Sequence, residues 1–478
     1  MNDSFPLDIP STETPISATA FSSLKAEDEP WLLNGYFVPP PNIEQVTGER
    51  SVIVFGAPGS GKTALSHYLK RLCLNTDDSP NRLLVEWTPS PAVDDDKLSD
   101  IAAVQMQAKQ VLDACAEAIL RLLAFYPTCL QAAPPTSTEA LSWFLKKYSQ
   151  IDLSLRVEQL IEKKQPPGES ILKSIISATP RNVLPDNASP DKVAARLVTT
   201  LKSIGLAGVW VIGNDAELEM WAEVAPDDLV VNLSSFFSTL PLFERANFSY
   251  KLLLPAWLEQ KMMTVVHTIR QRQRLSPYYL RQWDTACLEE VVMRRLQLAM
   301  ERPFTLRQLC TAPDLIEWLD WVGTPSPREW LEQVKPLVDY YRDHNLKTPV
   351  DQKTWYKLRR NHPPKIYLDD EGKRITVGAR QISLDKLPTK AYEILKYLYR
   401  QPDNYVASRA ELYYRFYREL DYVPIPTDKH YELPGNYRGA LDTALWRIRE
   451  AIEPNPSRRN HVLIITVRGH GIKLNTRW

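Results

Sequence analysis

Several features are scarce or missing in this sequence. It has only five cysteines, Cys73, Cys115, Cys129, Cys287 and Cys310. They are odd in number, scattered, and never spaced as a CxxC pair. That argues against a disulfide framework or a cysteine metal site, and for a reducing compartment. No apolar run approaches the roughly 18 residues of a membrane span. The opening MNDSFPLDIPSTETP has neither the basic start nor the apolar core of a signal peptide. The expected setting is the cytoplasm, away from any membrane. Net charge is missing too, since 58 Lys and Arg balance 58 Asp and Glu, so the chain as a whole does not announce a nucleic-acid partner. The balance hides an asymmetry. From Arg438 to Trp478 about eight basic residues stand against three acidic ones, a segregation that the total conceals.

A chain of 478 residues can hold two or more domains. Residues 1–30, rich in Ser, Thr, Pro and acids, read as a flexible leader. SVIVF at 51–55, RLLVEW at 82–87 and GVWVIG at 208–213 are short, continuous apolar runs of the kind that forms buried parallel strands. Sequence with helical spacing separates the last two, so 31–255 is expected to be an α/β core with a parallel sheet. Residues 256–345 read as almost wholly helical, a lid subdomain. The polar, proline-punctuated stretch 346–364 reads as a linker. IYLDDEGKRITVGARQISL alternates apolar and polar residues around two turns, a small antiparallel sheet that opens an α+β domain over 365–478.

The most specific string is GAPGSGKT at 56–63, which fits GxxxxGK[ST] and has a strand before it and a helical run after it. Gly56, Gly59 and Gly61, with Pro58 and Ser60, let the backbone turn its N–H groups around phosphates, and the helix starting near Ala64 presents its positive end to them. Lys62 would reach the β- and γ-phosphates of ATP, and the Thr63 hydroxyl would ligate Mg²⁺. A magnesium-side carboxylate and a water-orienting one are also required. VWVIGNDAELE supplies candidates for both in Asp215 and Glu217. This arrangement resembles the STAND and AAA+ class of P-loop ATPases, whose corresponding strand usually ends in an acidic pair such as DGxDE. Asn214 stands where the first acid is expected. Three readings stay open: the register moves to Asp215, the site hydrolyses ATP slowly, or both carboxylates belong to a solvated loop. GTPSPREWLEQV at 323–334 resembles the G-x-PR segment of such ATPases, and the resemblance implies Arg328 as a nucleotide-state sensor. The alternative is a helix-start arginine after Pro327 that meets Glu332 or solvent.

In LDTALWRIREAIE, Leu441, Leu445, Ile448 and Ile452 recur at helical spacing as one apolar stripe. The opposite face carries Thr443, Trp446 and Arg447, with Arg438 and Arg449 at its flanks, residues suited to a major groove and its phosphates. Thr466, Arg468 and His470 fall in the hairpin HVLIITVRGHGIKL, and Arg458 and Arg459 in the turn before it. The small sheet, PTKAYEILKYLYR, YVASRAELYYRF, this helix and this hairpin follow one another as in the winged-helix output domain of OmpR-type response regulators, which they resemble. The resemblance implies double-stranded DNA as partner. Three departures bear on DNA reading: Ile472 replaces a wing tyrosine, Trp446 replaces a basic residue, and 417–436 lengthen a loop.

Together these features lead to the expectation of an ATP-dependent switch, a slow ATPase whose nucleotide state alters DNA binding or self-association, in a transcriptional regulator or signalling ATPase. The alternatives are a STAND-like defence or conflict sensor whose winged helix meets a trigger or partner protein, and a DNA-remodelling AAA+ accessory protein.

Overall fold

The computed structural model describes residues 36–74, 79–87, 100–131, 133–149, 152–179, 187–213, 223–237, 247–262, 275–281, 283–300, 302–402, 405–431, 437–454 and 461–476, with isolated positions 21, 24, 26, 184–185, 220 and 239. The chain divides into two compact units, one built on Glu29–Gln282 and the other on Trp283–Trp478.

In the first unit, β1 (Ser51–Gly56) leads through a loop into α1 (Lys62–Arg71). β2 (Leu83–Trp87), the long α2 (Asp100–Phe125), β3 (Val209–Gly213), β4 (Phe248–Pro255) and β5 (Leu275–Tyr279) follow. The strands form one sheet in the order β2–β3–β4–β1–β5, and every pairing is parallel. All six residues of β1 are buried, as a strand covered on both faces requires. Successive side chains alternate between the faces. Ile53 and Phe55 join the core built with Leu112, Ile119 and Leu123 of α2, while Val52 and Val54 join Leu65 and Leu69 of α1. This is the α/β P-loop NTPase fold, and its topology puts the end of β1 inside the sheet, where the loop that follows is held on both sides.

β3, which precedes Asp215 and Glu217, is separated from β1 by β4. One expectation needs correction, since 256–345 is not uniformly helical. β5 lies within it and pairs with β1 from Ser51↔Leu275 to Phe55↔Tyr279, so the core continues past 255. Both missed strands are disguised. Lys251 interrupts β4, yet it is fully buried. Its ammonium donates to the Gly48 and Arg50 carbonyls, each at 2.6 Å. Pro277 interrupts β5. The Leu280 amide donates to the Phe55 carbonyl at 2.9 Å, and strand alternation then turns the nitrogen of residue 277 outward. A proline is tolerated there, on an edge strand.

The second unit begins with helices at Thr285–Met300 and Leu315–Gly323, then α3 (Pro327–Asp343) and α4 (Gln352–Asn361). An antiparallel sheet follows, of β6 (Ile366–Asp369), β7 (Arg374–Val377) and β8 (Arg380–Ser383). Then come α5 (Thr389–Tyr399), α6 (Arg409–Tyr417), α7 (Tyr437–Ile452) and the hairpin of β9 (Ile464–Val467) and β10 (Gly471–Leu474). The expected linker 346–364 contains α4, which is packed into the unit. Its buried stripe is Trp355, Leu358 and Arg359, and a charge within the stripe is what made it read as polar. Arg359 meets Asp314 at 3.1 Å, with both side chains almost wholly buried. The guanidinium also lies 4.8 Å from the Trp318 ring, 5.0 Å from Trp355 and 4.5 Å from Tyr356. Ala379 donates its amide to the Val322 carbonyl at 2.8 Å, and Asn475 donates to the Arg360 carbonyl at 2.9 Å. The helices, the small sheet and the hairpin therefore belong to one packed body. Among the described residues, no helix is long and apolar enough to cross a membrane.

Candidate functional site

The loop after β1 is shaped by its glycines. Gly59 has φ +79° and Gly61 φ +96°, a region that side-chain-bearing residues seldom occupy. Gly56 is glycine for a different reason. A Cβ there would crowd the Ser60 side chain and come within 2.9 Å of Cγ of Lys62. The Ser60 amide donates to the Ala57 carbonyl at 3.1 Å, which closes the turn, and Gly61 caps α1 as its carbonyl accepts from the Leu65 amide at 2.9 Å. Ala57 and Pro58 are exposed at the tip, whereas Ser60 and Lys62 are buried. Lys62 arches over the loop and donates to the Gly56 carbonyl at 2.9 Å and the Ala57 carbonyl at 3.4 Å. Thr63 and Ala64, half-buried, form the first turn of α1 with it. The first-turn amides of a helix have no acceptor within the helix, so this end attracts an anion.

Asn214, Asp215 and Glu217 lie outside the described residues, as do Arg458 and Arg459. Among the described residues, no group of three or more His, Cys, Asp or Glu comes together as a metal site. The loop carries the hydroxyls of Ser60, which is buried, and of Thr63, which is half-buried. Arg328 is half-buried in the first turn of α3, where the Ser326 hydroxyl caps the helix by accepting the Glu329 amide at 3.3 Å.

Sequence reasoning missed the residues that flank the loop on the neighbouring strands. β4 ends in a short turn, Ala256–Leu258, with Trp257 47% exposed, and Glu259 follows. Beyond β5, Arg281 stacks 4.5 Å from the centre of the Tyr279 ring and lies 3.9 Å from the Glu259 carboxylate. No motif marks these residues. Only the strand order brings the segments that carry them to the two sides of β1.

In the C-terminal region the stripe Leu441, Leu445, Ile448 and Ile452 is buried, and it leaves Thr443, Trp446 and Arg447 on the outer side of α7. Thr443 donates its hydroxyl to the Gly439 carbonyl at 2.9 Å. Arg447 packs 4.8 Å from the Trp446 ring and donates to Glu450 at 2.8 Å. Arg438 is exposed and donates to the Tyr437 hydroxyl at 3.3 Å, the contact that raises its pKa. Arg449 departs from the expected face. Its guanidinium folds onto the hairpin and donates to the Ile464 carbonyl at 3.1 Å and the Thr466 hydroxyl at 3.1 Å, and burial lowers its pKa. Arg449 and Thr466 therefore hold α7 to β9. Glu453, buried at the end of α7, accepts the Leu463 and Ile464 amides at 3.2 and 2.9 Å and secures the same joint.

Arg468 and His470 are exposed at the hairpin turn, around Gly469 with φ +78°. A Cβ on Gly471 would overlap the Ala407 carbonyl. That close approach lets Ala407 and Ile472 exchange backbone hydrogen bonds of 2.9 and 2.8 Å. Ile472, in place of a wing tyrosine, is buried.

No protein-family model matches the chain, and no curated protein does. Among solved structures, the crystal structure of Cdc6p from Pyrobaculum aerophilum aligns over 93% of this chain and 93% of its own at 12% identity, with a TM-score of 0.32. The fold assignment above rests on the sheet order and the loop geometry of this chain.

Proposed function

We propose that the chain is an ATP- and Mg²⁺-binding switch of the AAA+ or STAND type, whose C-terminal winged helix reads double-stranded DNA in response to nucleotide. The observation that carries the reading is the glycine loop, with left-handed Gly59 and Gly61 and with Lys62 folded over the carbonyls of Gly56 and Ala57. A lysine held on neutral acceptors at a helix start can transfer its hydrogen bonds to phosphate oxygens, and those bonds are stronger because the acceptor is charged. Thr63 would ligate the metal, with Asp215 beside it. Glu217 would orient water for slow hydrolysis, and Arg328 would sense the γ-phosphate. The series of small sheet, three helices and hairpin supports the winged-helix assignment, with α7 as reading helix and Arg468 and His470 on the wing. Nucleotide-dependent self-association would be the simplest way to couple the two.

The test is Lys62→Ala in the full chain. ATP affinity, titrated with Mg²⁺, should fall beyond detection while the thermal unfolding midpoint stays put. Undiminished binding would refute the loop assignment.

A second reading has its own observation. Tyr422, Val423, Ile425 and Tyr431, in the segment before α7, are 42 to 65% exposed, and Trp446 is 43% exposed. Exposed apolar residues gathered in one region fit a protein partner better than a phosphate backbone. On this reading the C-terminal domain of a defence-type sensor would bind a trigger or partner protein.

A further inference from the structure

We propose that Arg281 is a second cation of the nucleotide site, one that contacts the terminal phosphate of ATP, and that Glu259 holds it when that phosphate is missing. This rests on the reading of the loop as a nucleotide site. Phe55 of β1 is level with Tyr279 of β5, and Gly56 is level with Pro255 of β4. The Leu280 amide bonds to the Phe55 carbonyl, so Arg281 emerges from the sheet level with the first loop residue. Glu259 emerges on the other side of β1, just past the turn that ends β4. Strands in a sheet lie about 4.8 Å apart. A guanidinium and a carboxylate that start from opposite neighbours of β1 and come within 3.9 Å of each other therefore cross the end of β1, where the glycine loop begins.

The pair is built to be exchanged. Arg281 is 68% exposed and Glu259 25% exposed, and 3.9 Å is beyond hydrogen-bonding distance. An exposed ion pair of this kind contributes little. The Tyr279 ring, 4.5 Å below the guanidinium, fixes the arm of Arg281 without occupying its donors. A terminal phosphate carries more charge than a carboxylate and accepts two parallel bonds from a planar guanidinium. It would draw Arg281 from Glu259, whereas the terminal phosphate of a diphosphate ends one phosphoryl unit short of that position. The pair would thus distinguish ATP from ADP, with Glu259 setting the threshold.

The experiment measures binding of ADP and of a non-hydrolysable β,γ-imido analogue of ATP to the full chain, with Mg²⁺, in the wild type, Arg281→Ala, Arg281→Lys, Glu259→Gln and Lys62→Ala. Arg281→Ala should weaken the triphosphate by about tenfold or more and leave ADP unchanged. Arg281→Lys should recover part of the loss, because it keeps the charge without the fork. Glu259→Gln should tighten the triphosphate alone. Equal effects of Arg281→Ala on both nucleotides, or none on either, with Lys62→Ala still abolishing binding, overturn the role of Arg281 alone. Undiminished binding in Lys62→Ala overturns the loop reading and this proposal with it.

Discussion

In the first unit Lys62 lies on the carbonyls of Gly56 and Ala57, whereas in the second Arg359 is enclosed by Asp314 and the rings of Trp318, Trp355 and Tyr356. Both cations are buried, but the acceptors described for them differ in kind. Carbonyls satisfy the hydrogens of an ammonium without cancelling its charge. A buried carboxylate cancels the charge, and burial already lowers the pKa of Arg359. The pair presents no net charge to a ligand. Burial alone does not separate a binding cation from an architectural one. The chemistry of the acceptor does.

The largest test removes the carboxylate. Asp314→Ala leaves Arg359 charged in an aromatic cage, and losing one member of a buried pair costs about 3 to 5 kcal/mol. Denaturant unfolding should show that loss, with the glycine loop unaffected in whatever chain remains folded. A change below about 1 kcal/mol would mean that the cage relaxes and admits water.

Lys251 is the intermediate case, as deep as Arg359 but held on carbonyls as Lys62 is. Burial depresses its pKa from 10.5 to about 7, against the smaller opposing effect of Glu49 and the reinforcing effect of Arg82. Between these values the unfolded chain binds one more proton than the folded one, so stability should rise with pH. The cost of burial is complete below about pH 7 and is relieved above it. From pH 7 to 9 the slope should approach about 1.4 kcal/mol per pH unit and should vanish in Lys251→Met. The Cys73 thiol, pushed up to about 12 by burial, acts in the opposite sense only above that window. Parallel stability curves for the two proteins would show that the ammonium stays charged in the fold.

A smaller effect separates two arginines on one helix. Arg449→Ala should cost about 1 to 2 kcal/mol of stability, because it removes charge-assisted bonds to Ile464 and Thr466. Arg447→Ala, which loses exposed contacts to Glu450 and the Trp446 ring, should cost less, about 0.5 to 1 kcal/mol. On the DNA reading the order reverses in binding. Arg447→Ala and Arg468→Ala should each weaken duplex affinity, and loss of a phosphate contact should reduce the salt slope by about one unit. If neither variant changes salt-dependent affinity, the protein-contact reading takes over.

The legible parts of the chain were those where local pattern and environment agree. SVIVF followed by GAPGSGKT gave a strand, a loop and a helix because an apolar run, glycines and a helical run each point to one structure. The α7 stripe was equally plain. β4, β5 and α4 were hidden because each carries a residue that contradicts its surroundings: Lys251 in a buried strand, Pro277 in a sheet, Arg359 in a buried stripe. Each is resolved by a partner or position remote in sequence, namely the carbonyls of Gly48 and Arg50, the outer side of an edge, and Asp314. Arg449 misled for the same reason, since its acceptors lie on the hairpin. Arg281 and Glu259 carried no signal at all, because a strand order, not a spacing, makes them neighbours.

Pro277 has a bearing beyond its own strand. The outer side of β5 is the border of a parallel sheet, and an open border offers a row of amides and carbonyls on which another chain can lay a strand. At residue 277 that row has a ring where an amide would stand, so a foreign strand would lose a donor and meet the ring instead. Among the described residues β5 is the last strand on this side, and its proline disfavours lengthening of the sheet by a copy of itself. Copies of the chain that come together at this border, whether in function or by misassembly, meet more readily through side chains or helices than through backbone pairing.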